Sequence, residues 1–242
     1  MSRSKLSKNE QGRIERVIKR YLDVDSQDLV KRCELQVNAL LSTSDDLSKH
    51  VHSTKSRIKD PEHLRDKLVR KALSCKENGE QFDITPGNLF EHITDLVGYR
   101  ILHLHTKQIE VINRVVLELL RSERWFVMEG PIARTWDDEF RDYFHTIGIE
   151  TVDSKSMYTS VHYIFKANEQ AKCACELQVR TLAEELWGEV DHKINYPHKA
   201  KSVACREQIK VLARVTSSCS RLVDSIFHSY QEDEDKKIQR RH

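Results

Sequence analysis

The spacing of apolar residues divides the chain into helical ends and a centre with β-like alternation. Within residues 1–50, apolar positions recur every three or four residues, which predicts amphipathic helices. The same spacing predicts a helix over 107–121 and a long helix over roughly 200–230. Pro61 is a favourable first-turn residue, so we predict that another helix begins there, after a basic stretch with little strand character.

Short segments rich in β-branched and aromatic residues predict the strands of one sheet. They are 97–105, 124–130, 149–155, 159–167 and 173–181. Short helices are predicted over 137–147 and 182–193, and Tyr196-Pro197 is expected to separate the second of these from the final helix. Because the helices come first, then a sheet with helical connections, then helices again, we predict an α+β fold, a mixed β-sheet flanked by helices.

Composition removes several classes of protein from consideration. The 242 residues carry 40 Lys and Arg against 38 Asp and Glu, a formal net charge of +2, which is unlike a uniformly basic nucleic-acid binder. The chain has no apolar run long enough to span a membrane, and its basic N-terminus lacks the apolar stretch of a signal peptide, so we expect a cytoplasmic protein. The six cysteines form no C-x-x-C pair, and Cys173 and Cys175, which lie two apart in a strand-like run, are interpreted as core residues.

Alternation along the two strongest strand segments sorts their side chains onto two faces. The polar face would hold Tyr158, Ser160, His162, Glu176, Gln178 and Arg180. A solvated surface strand explains either segment alone. If the two strands pair, however, one sheet face carries a hydroxyl, an imidazole, a carboxylate, an amide and a guanidinium, a mixture that is typical of a functional site.

A pair of carboxylates and a basic region predict a site for a metal and phosphates. Asp95 directly precedes the first strand segment, where it could share Mg²⁺ with Glu176, although a turn cap is the alternative for Asp95 alone. Residues 52–76 carry eight Lys and Arg against three Asp and Glu. Such a run is usually solvated, but beside two carboxylates it suggests a binding site for polyphosphate. Phosphoryl transfer needs positioning, charge neutralisation and a base near the acceptor hydroxyl.

Other motifs in the sequence give weaker evidence about function. Glu189 and His192 have the E-x-x-H spacing of carboxylate-bridged metal bundles, but no second copy of that motif occurs. His103 and His105 are interpreted as structural histidines without a third ligand. The chain contains no G-x-x-x-x-G-K-[ST] loop, which excludes an NTPase of the Walker type.

Four sequence segments, in order, resemble the synthetase domain of the RelA/SpoT family. They are SRIKDPEHLRDKLVRK, DLVGYRI, YTSVHY and ELQVRTLAEELWGEVDHKINYP. The last three are similar to the family patterns D-x-x-G-x-R, Y-x-S-x-H and E-x-Q-x-R-T. The resemblance implies a mixed sheet of the nucleotidyltransferase type and a synthetase domain over residues 51–198. The residue pattern on either side predicts an N-terminal helical extension (1–50) and a C-terminal helix with a frayed tail from about Glu232 (199–242).

The resemblance also implies an activity and a donor site. Family members transfer the β,γ-pyrophosphate of ATP to the ribose 3′-hydroxyl of GDP or GTP, which makes the alarmone (p)ppGpp. By motif position, Mg²⁺ would be held by Asp95 and Glu176, and Glu176 would also deprotonate the 3′-hydroxyl. The ATP-binding residues implied by the resemblance are Arg57 and Arg100 around adenine, and Lys59 and Lys67 on the phosphates.

On the acceptor side, the resemblance implies a stacking role for Tyr158 on the acceptor base. The other acceptor-binding residues that it implies are Ser160, His162, Gln178, Arg180 and His192. The chain departs from the family just here: Met157 stands where the family usually has Gly, and Thr159 where it usually has a basic residue. Acceptor identity is therefore the open part of the prediction. Few residues precede Asp95, so we expect a stand-alone small synthetase without a hydrolase domain.

Three functions remain as alternatives. The first is an alarmone synthetase acting on ATP and a free guanine nucleotide, and the second is a toxin of the same family that pyrophosphorylates the 3′ end of tRNA. Seven basic residues near the N-terminus could steer an RNA backbone, or form one face of an ordinary helix: Arg3, Lys5, Lys8, Arg13, Arg16, Lys19 and Arg20. The third is a non-catalytic nucleotide sensor. The final helix could pack on its own domain, self-associate or bind an antitoxin.

Overall fold

Six strands form one mixed sheet in the computed structural model, which describes residues 6–195 and 201–240. The strands are β1 (Ser53–Ile58), β2 (Val97–His103), β3 (Phe126–Thr135), β4 (Glu150–Asp153), β5 (Ser160–Lys166) and β6 (Cys175–Thr181). Their order across the sheet is β1-β2-β6-β5-β3-β4, in which β2 with β6 and β3 with β4 are parallel and the other pairs antiparallel. The predicted mixed α+β fold is confirmed.

Helices precede, connect and follow the strands. They are α1 (Lys8–Leu22), α2 (Val24–Ser42), α3 (Asp45–Ser48), α4 (Pro61–Asn78), α5 (Leu89–His92), α6 (Gln108–Ser122), α7 (Asp138–Thr146), α8 (Leu182–Asn195) and α9 (Val203–Gln239). Helix α4 begins at Pro61 as predicted, and the carboxylate of Asp60 caps it by accepting the backbone N–H groups of Glu62 and His63.

Two predictions about local structure were wrong. The basic stretch before Pro61 contains strand β1, although its sequence shows little strand character. Helix α9 continues to Gln239, so the tail that we expected to be frayed from Glu232 is helical to that point. The break predicted at Tyr196-Pro197 lies outside the described residues.

The two faces of the sheet differ in the way that the alternation predicted. One face is apolar and fully covered, with Tyr163, Phe165 and Leu177 buried in a core to which α1, α2 and α6 also contribute. On the other face, the register places Glu176 beside Gly98, and Gln178 between Arg100 of β2 and His162 of β5. Since paired residues share a face, the polar side chains of four strands lie together.

Helix α9 is held against the sheet and α8 by polar contacts. Asp137, which caps α7, accepts hydrogen bonds from Ser217 at 2.6 Å and Arg221 at 2.8 Å. The indole N–H of Trp187 in α8 donates to the backbone carbonyl of Ile209 at 3.1 Å. These contacts fix α8 and α9 beside the polar face of the sheet. No helix in the two described ranges has the length and apolar character needed to cross a membrane.

Candidate active site

Asp95 lies at the entrance to β2 between two cations. Its carboxylate forms ion pairs with Lys59 and Lys67, each at 2.8 Å. Burial raises the pKa of Asp95, but the two ammonium groups outweigh burial and lower this pKa to about 2. Asp95 is therefore ionised throughout the physiological range. Burial in turn lowers the pKa of Lys59, more than the neighbouring carboxylate raises it.

Glu176 lies on β6, one strand away from Asp95, and its side-chain partners are an amide and an imidazole. Its carboxylate accepts a hydrogen bond from the side-chain amide of Gln178 at 2.9 Å and lies 3.2 Å from Nδ1 of His162. Burial and the nearby charge of Asp95 raise the pKa of Glu176. The hydrogen bond and electrostatic attraction of His162, with the hydrogen bond from Gln178, outweigh them, so the pKa lies below its usual value.

The two carboxylates form a donor set that fits Mg²⁺. Both Asp95 and Glu176 are ionised, both present hard oxygen atoms, and their charges interact across the β2–β6 pair. In the described part of the chain no group of three or more His, Cys, Asp or Glu is arranged to hold a metal. A two-carboxylate site would therefore need other oxygen ligands, and Mg²⁺ commonly takes these from water and substrate phosphates.

Arg57 and Arg100 extend the polar face across β1 and β2. Arg57 is paired with Gly98 in the sheet, and its side chain crosses that glycine: a Cβ at position 98 would lie only 3.2 Å from Nε of Arg57. Arg100 forms ion pairs with two acidic residues of α8, Glu185 at 3.0 Å and Glu189 at 2.5 Å. A planar guanidinium in each position is suited to stacking on a base.

Tyr158 begins the part of the site that precedes β5. Its hydroxyl donates to the side-chain carbonyl of Gln178 at 3.1 Å, and the guanidinium of Arg180 lies 5.4 Å from its ring centroid. Met157 has a φ of 60°, in the left-handed region that glycine adopts at little cost. The backbone thus keeps the conformation that favours glycine at the position where this chain has methionine.

Arg180 is held by three neighbours. It forms an ion pair with Glu185 and lies against the Tyr158 ring, and a Cβ on Gly188 of α8 would approach its Nη1 to 2.7 Å. Glycine at 188 thus allows the helix to pass close to the guanidinium. Ser160, by contrast, does not face the cavity lining. Its buried hydroxyl donates to the backbone carbonyl of Val179 at 3.2 Å, within the sheet.

A cavity of about 480 Å³ opens over this face between the sheet, α8 and α9. Six of the residues singled out from the sequence line it: Arg57, Arg100, Tyr158, Gln178, Arg180 and His192. His192 meets His63 of α4 edge to face at 5.6 Å, and burial together with His63 and Arg57 lowers the pKa of His192. Lys59, Lys67, Asp95 and Glu176 are not among its lining residues.

Several residues of the site were missed by the sequence analysis. Glu185 and Glu189 face the arginines of the sheet, at the i, i+4 spacing that places two side chains on one helix face. That spacing was the available signal, since Glu189 had been considered only as part of an E-x-x-H motif. Three cations and a tryptophan of the cavity were also missed: Lys155, Trp187, Arg206 and Lys210.

Comparison with known proteins agrees with the fold and the motifs. Residues 56–201, more than half of the chain, match the sequence profile of the region found in RelA and SpoT proteins. GTP pyrophosphokinase YwaC of Bacillus subtilis (strain 168) is 28% identical over 151 residues, which are 60% of this chain and 59% of that protein. The match thus spans less than two thirds of the relative's length.

Two solved structures have similar folds at low sequence identity. A GTP pyrophosphokinase family protein from Streptococcus pneumoniae superposes with a TM-score of 0.58 at 16% identity, covering 94% of this chain and 97% of that one. Small alarmone synthetase 1 from Bacillus subtilis, solved with its product pppGpp, has a TM-score of 0.58 at 18% identity, covering 88% and 96%. The solved structures show the fold, and the profile match over more than half of the chain shows that the chain belongs to the RelA/SpoT family.

Proposed function

We propose that the protein is a pyrophosphokinase that transfers the β,γ-pyrophosphate of ATP to the ribose 3′-hydroxyl of GDP or GTP, giving (p)ppGpp. The observation that carries the proposal is the pair of ionised carboxylates, Asp95 just before β2 and Glu176 on the parallel neighbouring strand β6, on the sheet face that also carries a cavity lined with cations. Family membership supports the reaction class. The synthetase domain would comprise residues 51–198, between helical extensions.

The donor half of the site is assigned to β1, β2 and α4. Lys59 and Lys67 already hold their ammonium groups at a carboxylate, so both are positioned to meet phosphate oxygens brought to the same place. Arg57 and Arg100 would flank the adenine. Asp95 and Glu176 would hold Mg²⁺, which neutralises charge developing on the phosphoryl oxygens.

The reaction needs one proton acceptor close to the attacking hydroxyl. The 3′-oxygen of the acceptor forms a bond to the β-phosphorus of ATP, the bond between that phosphorus and the oxygen bridging to the α-phosphate breaks, and AMP leaves. Glu176 would take the hydroxyl proton. Because its pKa lies below the usual value, Glu176 starts ionised. The hydrogen bonds from Gln178 and His162 hold the carboxylate in one orientation.

The acceptor half is assigned to the β5–β6 side of the cavity. Tyr158 would stack on the acceptor base, with Gln178 and Arg180 orienting its ring and His162 orienting Glu176. His192 would line the acceptor pocket from α8. Ser160 would hold the backbone of β6 in place beside the acceptor, since its hydroxyl is hydrogen-bonded to the main-chain carbonyl of Val179.

A tRNA acceptor is the second candidate, and one observation favours it. Beyond the segments that resemble the family, the cavity is lined by further cations: Lys155, Arg206 and Lys210. Lys155 lies two residues before Met157, where the chain departs from the family pattern. Such cations suit a substrate with phosphates outside the reacting nucleotide, as at the 3′ end of tRNA.

The acceptor can be identified with ATP labelled in its γ-phosphate. The purified protein is incubated with this ATP and Mg²⁺, and separately with GDP, GTP, unlabelled ATP or bulk tRNA. We expect label on GDP or GTP. Label on tRNA alone would contradict the guanine-nucleotide proposal and support the second candidate. Binding of ATP without transfer to any acceptor would contradict both and indicate a nucleotide sensor.

A further inference from the structure

One carboxylate of α8 joins the arginine assigned to the donor half of the site to an arginine assigned to the acceptor half. Glu185 forms an ion pair through Oε1 with Nη1 of Arg100 at 3.0 Å, and another through Oε2 with Nη2 of Arg180. In the two described ranges, Glu185 is the only residue that forms an ion pair with Arg180. Each oxygen of this carboxylate therefore serves a different guanidinium.

The local sequence places Glu185 over the two arginines. Strand β6 ends at Thr181, whose hydroxyl accepts a backbone N–H from the first turn of α8. Glu185 lies in that same turn, where the helix dipole favours a carboxylate. Arg100 and Arg180 share one face of β2 and β6, since Arg180 follows two residues after Gln178, the partner of Arg100. Like charges on neighbouring strands repel each other, and the carboxylate of Glu185 offsets this repulsion.

Glu185 lies behind the cavity and not in its wall. Arg100 and Arg180 both line the cavity of about 480 Å³, whereas Glu185 is not among its lining residues. The side chain of Glu185 is 13% exposed and that of Arg180 only 3%. A nucleotide in the cavity can therefore touch the two guanidinium groups, and Glu185 can act on the nucleotide only through them. Glu185 is in this sense a positioning residue.

From Arg180 the contacts continue to the carboxylate proposed as the base. The guanidinium of Arg180 lies 5.4 Å from the ring centroid of Tyr158, and the hydroxyl of Tyr158 donates to Gln178 at 3.1 Å. The side-chain amide of Gln178 in turn donates to Glu176 at 2.9 Å. A continuous series of polar contacts thus runs from Arg100, beside the proposed adenine site, to the group that would accept the hydroxyl proton.

Arg100 has two carboxylates available, so its position in this series can change. Its Nη1 is shared between Glu185 at 3.0 Å and Glu189 at 2.5 Å. The side chain of Glu189 is 49% exposed and also lies 3.7 Å from Lys55. A base stacked on Arg100 excludes water from the guanidinium, which strengthens the pair with the buried Glu185 more than the pair with the exposed Glu189. Stacking therefore moves Arg100 toward Glu185 and fixes that carboxylate.

We propose that Glu185 couples the two nucleotide sites, so that ATP bound at Arg100 raises the affinity for the acceptor at Tyr158. Adenine holds Arg100 against Glu185, Glu185 holds Arg180, and the acceptor base then meets a tyrosine ring that is already ordered. The acceptor raises the affinity for ATP by the same factor, because the two binding free energies are linked. We expect a factor of about ten, within the usual range for coupled sites. The inference rests on the donor and acceptor halves assigned under the proposed function.

Binding of two nucleotides that cannot react measures the coupling directly. Isothermal titration calorimetry gives the dissociation constant of GDP, with Mg²⁺, in the absence and in the presence of saturating α,β-methylene ATP. The methylene group replaces the bridging oxygen whose bond to phosphorus would break, so both nucleotides bind without transfer. We expect the dissociation constant of GDP to fall about tenfold when the ATP analogue is present, and the reverse titration to give the same factor.

Glu185→Gln removes the link between the arginines and keeps the size of the side chain. Glutamine has one acceptor oxygen, and its amide group is a donor, so it cannot pair with both guanidinium groups. In this variant GDP should bind as weakly with the ATP analogue as without it, a factor below about two. Glu185→Asp keeps a charge beside Arg180 but is one methylene group shorter, so it cannot reach both arginines and should give the same result. Thermal unfolding checks that each variant is folded.

Glu189→Ala should act in the opposite direction. Without Glu189, Arg100 pairs with Glu185 even when no nucleotide is bound, so the acceptor side is already ordered. The dissociation constant of GDP alone should therefore fall several-fold, toward the wild-type value with the ATP analogue, and little further gain should remain. A variant that merely damaged the site would weaken GDP binding instead.

Glu139→Gln is the matched control outside the cavity. Arg221 is shared between Asp137 at 2.8 Å and Glu139 at 3.1 Å, as Arg100 is shared between two carboxylates, and Glu139 does not line the cavity. Removal of this charge should leave both affinities and the coupling factor unchanged.

Other results overturn the proposal. A wild-type chain that binds the two nucleotides independently has no coupling, and a wild-type factor in folded Glu185→Gln or Glu185→Asp would mean that the coupling takes another route. Unchanged or weaker GDP binding in Glu189→Ala would contradict the two positions of Arg100. Each of these results leaves the proposed function intact, because both nucleotides still bind. If GDP does not bind with or without the ATP analogue, the proposed acceptor is wrong as well, and the coupling falls with it.

Discussion

Asp95 and Glu176 are both ionised, but their surroundings differ in a way that matters for mutagenesis. Asp95 is balanced by Lys59 and Lys67, so removing its charge leaves two partly buried ammonium groups without a counter-ion. Glu176 is held by an amide and an imidazole, to which a neutral amide can also bond. At the scale of single residues, Glu176 therefore gives the cleaner test of the chemistry.

We expect Glu176→Gln to lower pyrophosphate transfer at least about 10³-fold, through loss of the base and of a metal ligand. Its thermal unfolding midpoint should stay within a few degrees of wild type. Asp95→Asn should also abolish transfer, but with a measurable loss of stability. Transfer is followed with labelled ATP and stability by calorimetry. Near-normal turnover of Glu176→Gln would rule out the role assigned to this carboxylate.

Gly188 makes a second residue-scale prediction. Its α-carbon packs so close to Arg180 that the Cβ of Gly188→Ala would lie 2.7 Å from Nη1. Arg180 is 5% exposed and fixed by Glu185, so it cannot move away freely. We expect the KM for the acceptor to rise about tenfold or more, roughly 1.4 kcal/mol in binding, with the affinity for ATP little changed.

The matched control for Gly188→Ala is Gly12→Ala in α1, where the nearest atom to a new Cβ would be 3.6 Å away. That substitution should leave both substrates unaffected and raise helix stability by about 1 kcal/mol at most. An acceptor KM that is equal in the two variants would show that the Gly188–Arg180 contact does not shape the acceptor pocket.

At the scale of the element, the residues at helix ends differ in how well they suit their capping positions. The α1 start has a full capping box, in which Ser7 and Glu10 each bond the other's backbone N–H. The α6 end is less well matched: Trp125 N–H reaches the carbonyl of Leu120, as in a Schellman turn, and Arg124 takes the left-handed position with a φ of 59°. Glycine is the residue that this position favours.

At the scale of the element, Arg124→Gly should therefore stabilise the protein. Relief of the left-handed strain, about 1–2 kcal/mol, exceeds the greater unfolded-state entropy of glycine, about 0.5–1 kcal/mol. We expect a gain of roughly 0.5–1 kcal/mol, measured by urea unfolding. Glu123→Gly one residue earlier, at a φ of −86°, has no strain to relieve and should destabilise. A loss of stability in Arg124→Gly would contradict the assignment.

At the scale of the whole molecule, α7, α8 and α9 meet the sheet around a buried carboxyl group. Glu184 of α8 is 3% exposed, and burial raises its pKa to about 8, more than Arg180 and Arg221 lower it. Asp137 raises this pKa further. The folded protein thus keeps a proton on Glu184 that the unfolded chain, with a carboxyl pKa near 4.5, has already released.

The sign of the pH dependence follows from this difference. Below about pH 4.5 both states hold the proton, between about pH 4.5 and 8 only the folded state holds it, and above pH 8 neither does. Glu184 therefore makes the free energy of unfolding fall as pH rises from 4.5 to 8. Glu184→Gln, which is neutral at every pH, should lose this fall, a difference of a few kcal/mol across the interval. Urea unfolding at several pH values measures it, and parallel profiles for the two proteins would refute it.

The secondary structure was predictable where one face of an element is buried. Alternation placed Glu176 and Gln178 on the polar face because a strand with one covered face must separate apolar from polar residues. Strand β1 escaped prediction because it is an edge strand whose residues are exposed or only partly buried, so no apolar alternation marks it. Helix α9 extends beyond its predicted end near residue 230, because ion pairs such as Lys237–Asp233 stabilise a helix of charged residues.

The sequence by itself determined the fold class and named most of the residues that we assign to the site, because strand and helix periods are local properties of the chain. Only the tertiary structure decided which charges meet. Lys59 and Lys67 pair with Asp95, and Arg100 pairs with Glu185 across 85 residues. The cavity and the outward face of α9 were likewise decided by how distant segments pack. Such contacts depend on which distant segments become neighbours, and the helical or strand period of a segment does not show which other segment it will pack against.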